Sequence, residues 1–345
     1  MTFDDKVSLR EKLLNDFAKA GKATSRQILE ADFGTAAEKY LTSHDPKLNE
    51  PLKIDRFNNG KLNASVRAFN SSVRYTLGRG RLLSAQIAAV VTVLSPFSHN
   101  PFINAGVGIV TTGLFNFRQF WKNEDREKLE EGYFTPDSPK SIFINAGKLD
   151  NHPQTAMTVS HENVHYLQNH FGMTSGFGRL SSSEINLPVS PDIPDYAMQH
   201  ALYLASEIEI MPRLHQIVSS FCLMGGKMPR NGAEFQAFLF ASGIYDVGDF
   251  TSRRLAEGLI SEIPEADLEQ SYDRFLSMNE GNIREIRVAL SLSKPETVPK
   301  VMAFLTNSFL NLTKIYGREV GKEQLTLGLN VQLTRKPVFP IVTLS

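Results

Sequence analysis

Thirty-six consecutive residues, Leu82 to Phe117, carry no Lys, Arg, Asp or Glu, and His99 is the one side chain there that can take a charge. A run of this kind cannot form an ordinary solvated surface, so it has to be buried in protein or placed against lipid. Ser95-Pro96-Phe97-Ser98-His99-Asn100-Pro101 reads as a turn between two apolar halves, Leu82 to Leu94 and Phe102 to Phe117. Arg74, Arg79 and Arg81 precede the hairpin, and Arg118 and Lys122 follow it. That is the flanking expected of a membrane hairpin with both ends in the cytoplasm. Each half is shorter than the roughly 20 residues of a full span, so a buried or surface-inserted hairpin explains the composition equally well.

The rest of the chain sets further limits. With 345 residues it has enough apolar material for one large or two ordinary domains. Lys plus Arg equals Asp plus Glu at 37 each, with no long block of like charge, which argues against nucleic acid as a partner. Cys222 is the single cysteine, so neither an internal disulfide nor a cysteine-based zinc knuckle can form, and a reducing compartment fits best. Met1-Thr2-Phe3-Asp4-Asp5-Lys6-Val7 lacks the layout of a secretory signal. The expected location is cytoplasmic, attached to the cytoplasmic face of a membrane if the hairpin inserts.

Along the chain, Val7, Leu9, Leu13, Leu14, Phe17, Ile28, Leu29, Tyr40 and Leu41 recur at helical spacing, with breaks near Gly21 and Gly34. Residues 1–81 are therefore expected to be a helical region, including a helix over 62–77. Ser141 to Ala146 reads as a strand ended by Gly147, and Thr155 to Phe171 as a helix closed by Gly172. A second helix is expected from about Tyr196 to Met211, stopping ahead of Pro212, with further helices over 221–345 and strands only in the tail at 330–344.

The first of these helices carries His161-Glu162-Asn163-Val164-His165. Residues four apart share a helix face, so His161 and His165 can offer two imidazoles to one metal ion while Glu162 lies beside them. Catalytic zinc takes three protein ligands and leaves its fourth position to water, whose pKa it lowers; Glu162 is placed to collect the released proton. With eight His in the chain, the bare string arises by chance in roughly one sequence in a hundred. Its surroundings narrow this, because Thr158 to Leu167 contains no charged residue but Glu162 and no Pro, and Leu167 is apolar.

In this segment the sequence resembles the zincin metallopeptidases, over about 70 residues from Ile142 to Met211. The metzincin branch would ask for a Gly and a third His where Gln168 and Phe171 stand, and His170 lies well round the helix from His165. The chain is closer to the gluzincin type, in which a Glu on a second helix completes the site. The resemblance then implies Glu207 or Glu209 as third ligand. Helical spacing sets Glu207 on a stripe with His200, Tyr203, Ile210 and Leu214 and ranks it first; Glu209 falls beside Ser206 and Arg213, with which it can pair. Some zincins use the second Glu of a Glu-x-Glu pair, which selects Glu209. A donor for the developing oxyanion is sought in His200 or Tyr203, and less readily in Tyr196 or His215. Treated as an edge strand, Ile142 to Ala146 would bind an extended substrate by β-addition.

The expectation is an α+β, predominantly α-helical protein with a zincin-like core at 134–220 between helical regions. It would hold one Zn2+ and hydrolyse a peptide or protein substrate. The alternative is a catalytically inactive metal-binding or membrane-associated scaffold.

Overall fold

Thr2 and Asp5 start the first helix by capping each other's backbone amides, after which α1 (Phe3–Ala20) buries Phe3, Val7, Arg10, Leu14 and Ala18 along one face. The computed structural model describes residues 1–37, 41, 45–57, 131–145, 153–172, 184, 202–245, 250–263 and 265–317. The hairpin at 82–117, the helix expected at 62–77 and the tail strands expected at 330–344 lie outside the described residues. No helix among the described residues is long and apolar enough to cross a membrane.

The chain is α+β and predominantly helical. Gly21 ends α1 and turns it into β1 (Lys22–Thr24), which leads directly into α2 (Ser25–Ala37), kinked at Gly34. A 3-10 turn at Pro46–Asn49 precedes β2 (Pro51–Phe57); β3 (Gly132–Phe134) and β4 (Ser141–Asn145) complete a sheet of order β1-β2-β4-β3. β1 pairs antiparallel with β2, placing Ala23 opposite Leu52, and β3 pairs antiparallel with β4, placing Tyr133 opposite Phe143. β1 and β2 thus arise inside the region expected to be helical. β4 is an interior strand of this sheet, and among the described strands the edge beside it is β3, so the expected edge at Ile142 to Ala146 is corrected to Gly132–Phe134.

The remaining helices are α3 (Pro153–Phe171), α4 (Glu207–Leu223), α5 (Gly232–Ala241), α6 (Phe250–Ile260), α7 (Glu265–Leu292) and α8 (Val298–Ile315). α4 is the hub: it packs against α2, α3, α7 and α8 and is buried along nearly its whole length. Phe221 of α4 meets Phe238 and Phe275 edge-on at 5.2 and 5.8 Å, and Phe235 stacks on Phe309 at 4.7 Å. Each such ring contributes roughly 1.5–3 kcal/mol through burial, with a further fraction from ring geometry.

Chain contacts divide the protein into two units. One comprises Met1–Asp55, Gly132–Ile144 and His152–Ser345; the other comprises Arg56–Glu131 and Asn145–Asn151 and falls almost wholly outside the described residues. The first unit holds the N-terminal helices together with the motif helix. Its polar interior explains why. Asp32 of α2 accepts hydrogen bonds from Arg10 Nη2 at 2.8 Å and Nε at 3.0 Å, from His215 Nε2 at 2.7 Å, and from the Ser160 hydroxyl. His215 Nδ1 in turn lies 2.5 Å from the Tyr316 hydroxyl. Because a carboxylate only accepts, His215 donates to Asp32 through Nε2, while its Nδ1 is paired with the Tyr316 hydroxyl. All five side chains are buried.

Candidate metal centre

α3 forms where the sequence runs from Thr155 to Phe171 without Gly or Pro, and Gly172, at φ +62°, ends it in the left-handed conformation that glycine adopts without steric cost. Its buried polar side faces the N-terminal helices, with Ser160 on Asp32 and Asn163 Oδ1 accepting from the Ser25 hydroxyl at 2.9 Å. The sheet approaches it closely: a Cβ at Gly132 would lie 2.8 Å from Thr158 Cγ2, so β3 can run against the helix only with glycine there. Phe134 of β3 meets Tyr166 edge-on at 6.2 Å.

On another side of α3, His161 and His165 turn their Nε2 atoms to within 3.2 Å of each other. Glu209 reaches them from α4, its Oε2 3.5 Å from His161 Nε2 and its Oε1 3.6 Å from His165 Nε2. One ligand atom from each of the three lies within 4.8 Å of the others. Donors on a tetrahedron with zinc bonds of about 2.0–2.1 Å stand roughly 3.3–3.4 Å apart; the two imidazole nitrogens have this spacing, and with a carboxylate oxygen within 4.8 Å the three groups could hold such an ion. Burial, then His161, lowers His165 to about 4 against the opposing pull of Glu209, and this keeps the imidazole neutral, the form that binds metal. Burial works to raise the Glu209 carboxyl, but the His161 hydrogen bond, both imidazoles and Arg213 outweigh it and hold the group well below the usual carboxylate range.

Glu209 takes the position for which helix spacing had ranked Glu207 first. The ranking assumed one helix from Tyr196 to Met211. Among the described residues, 202–204 form a short helical stretch, the chain breaks at Ala205 and Ser206, and α4 begins anew at Glu207 with Ser206 extended at φ −78°, ψ 146°. A stripe drawn from Tyr203 to Glu207 therefore has no structural meaning. Burial does not separate the candidates either, since Glu207 and Glu209 are 4% and 2% exposed.

The expected pair of Glu209 with Arg213 is present at 2.5 Å, and Arg213 also donates to Glu285 on α7, a contact that sequence spacing could not reveal. Tyr203, 40% exposed, donates its hydroxyl to Glu209 Oε1. Burial and Glu209 raise the Tyr203 hydroxyl, with Glu162 contributing, so it stays protonated and remains a donor. Glu162 is buried on α3 next to His161. His215 belongs to the Asp32 network and not to this site, and His200 and Tyr196 lie outside the described residues. His170 closes α3 with its ring stacked on Tyr166 at 5.3 Å.

Sequence reasoning missed Gln168. Its Nε2 donates to the Ile208 carbonyl at 3.0 Å, and its Oε1 lies 2.9 Å from His165 Nδ1. The signal was Pro212, which stands inside α4 and cannot supply the amide that would otherwise bond Ile208 O.

No protein-family model, curated protein or solved structure matches this chain.

Proposed function

We propose that the chain is a zinc-dependent peptide hydrolase whose metal is held by His161, His165 and Glu209, with Glu162 as general base. The observation that carries the reading is the convergence of two imidazole Nε2 atoms and one carboxylate from two separate helices, with Glu162 adjoining on α3. Bound zinc would supply Lewis acidity, lowering the pKa of a water and polarising the substrate carbonyl. Glu162 takes the proton of the attacking water and passes it to the departing amine, breaking the C–N bond. Tyr203 donates its single hydroxyl proton to Glu209, and by turning that proton from Glu209 to the substrate it would stabilise charge developing on the carbonyl oxygen. Arg213 keeps the Glu209 carboxylate in place from the side of α7. The substrate class is a peptide or protein in extended form, added along the edge strand β3, where main-chain pairing would give weak side-chain specificity.

The test is hydrolysis of a mixed peptide library by zinc-loaded protein, beside Glu162→Gln. Cleavage by the wild type that is lost in the variant while zinc is retained supports the reading. One zinc per chain without cleavage assigns the site to structure, and no zinc overturns it.

A further inference from the structure

Pro212 leaves the carbonyl of Ile208 without its helical donor in the first turn of α4. A carbonyl can only accept, so the end of Gln168 that meets it at 3.0 Å has to be the amide NH2. This fixes the orientation of the whole side chain, and Gln168 Oε1 then faces His165 Nδ1 at 2.9 Å. An amide oxygen also only accepts, so Nδ1 has to carry the proton. The lone pair of a neutral His165 is thereby left on Nε2, the atom that faces His161 Nε2 and Glu209. Gln168 is 3% exposed and bridges the two helices that supply the ligands.

We propose that Gln168 is the positioning residue of the centre, transmitting the carbonyl freed by Pro212 into a fixed Nδ1–H tautomer of His165. The inference rests on the zinc reading for its consequence, tighter metal binding, but the tautomer itself is a property of the metal-free protein. A partner of this kind on a ligating histidine orients the ring and raises its basicity, and its loss typically costs about 10–100-fold in metal affinity.

The experiment uses the full chain labelled with 15N-histidine. The tautomer is read from long-range imidazole correlations in chelator-treated protein, with the His165 signals identified by their absence in His165→Gln. Zinc affinity is read by competition with a chromophoric chelator. Wild type should show a protonated Nδ1 and a bare Nε2 at His165. Gln168→Met, which keeps the shape but neither hydrogen bond, should release the tautomer and weaken zinc by about 10–100-fold. Gln168→Glu keeps an acceptor for Nδ1–H and should restore both the tautomer and the affinity, although it cannot donate to Ile208. That recovery separates positioning of His165 from a general contribution to packing.

A wild-type His165 protonated on Nε2 overturns the proposal without recourse to any variant. So does Gln168→Met with unchanged tautomer and zinc affinity. A wild-type protein that shows the expected tautomer but takes up no zinc upholds the role of Gln168 and overturns the zinc reading instead.

Discussion

Glu209 Oε2 on α4 stands 3.5 Å from His161 Nε2 on α3. The carboxylate is held in its anionic form against burial by the His161 hydrogen bond, the two imidazoles and Arg213, so it offers a negative oxygen donor beside the two imidazole nitrogens. Purified protein never exposed to chelator is expected to carry about one zinc per chain. His161→Ala and Glu209→Ala should lose it, whereas Glu207→Ala should retain it. Elemental analysis of the four proteins checks this.

Glu162 is buried beside His161 but is not among the three converging ligands. Glu162→Gln should keep zinc and fold while lowering kcat by about 10²–10⁴-fold, the range for loss of a general base. Steady-state kinetics with a cleaved peptide, together with zinc content, decides it.

Tyr203 remains protonated through burial and the adjoining Glu209, so its contribution is a hydrogen bond and not a charge. Tyr203→Phe is expected to lower kcat by about 10²-fold with KM little changed, as for removal of one oxyanion donor. An equal loss of zinc in this variant would instead make Tyr203 a support of Glu209.

Asp32 is buried between Arg10 and His215, and removing one partner of such a group strands the others. Asp32→Asn should cost about 3–5 kcal/mol in urea unfolding, with a lower midpoint. Burial opposes ionisation of Asp32, but Arg10 first, then the His215 and Ser160 contacts, prevail and lower it from 3.8. A depressed carboxyl pKa means the unfolded chain binds the proton more readily, so this stabilisation is complete above 3.8 and is lost as pH falls through the folded value. Wild-type Tm should therefore drop more steeply than that of Asp32→Asn in acid below about pH 4.

Chelator should act on stability as well as activity. Zinc that binds the folded chain stabilises it by mass action, about 2.7 kcal/mol when free metal exceeds Kd a hundredfold. Calorimetry with and without chelator should show a lower Tm for the metal-free protein, and the difference should vanish in His161→Ala.

The parts legible in the sequence were those fixed by local rules. α3 follows from a run without Gly or Pro closed by Gly172, and β4 from the alternation of Ile142 and Ile144. β2 shows the same alternation in Leu52 and Ile54, but over too few residues to stand out inside a region whose apolar spacing reads as helical. The origin of α4 was hidden for a tertiary reason. Pro212 signals a helix end when only local hydrogen bonds are considered, yet the orphaned carbonyl is satisfied from α3 by Gln168 and the helix continues to Leu223. The choice of Glu209 depended on that origin, so the third donor could not be read from spacing.

The groups gathered round Asp32 come from Arg10, Ser160, His215 and Tyr316, so they draw on the first described helix and on the residue just past the last. During synthesis from the N-terminus, Arg10 and Asp32 can pair early, but His215 and Tyr316 join them only once most of the chain has been made. This part of the interior can therefore close only as a late, long-range event. A fragment cut before Tyr316 leaves a His215 nitrogen buried without its partner, so the helix bearing His161 and His165 will not serve as an excisable module.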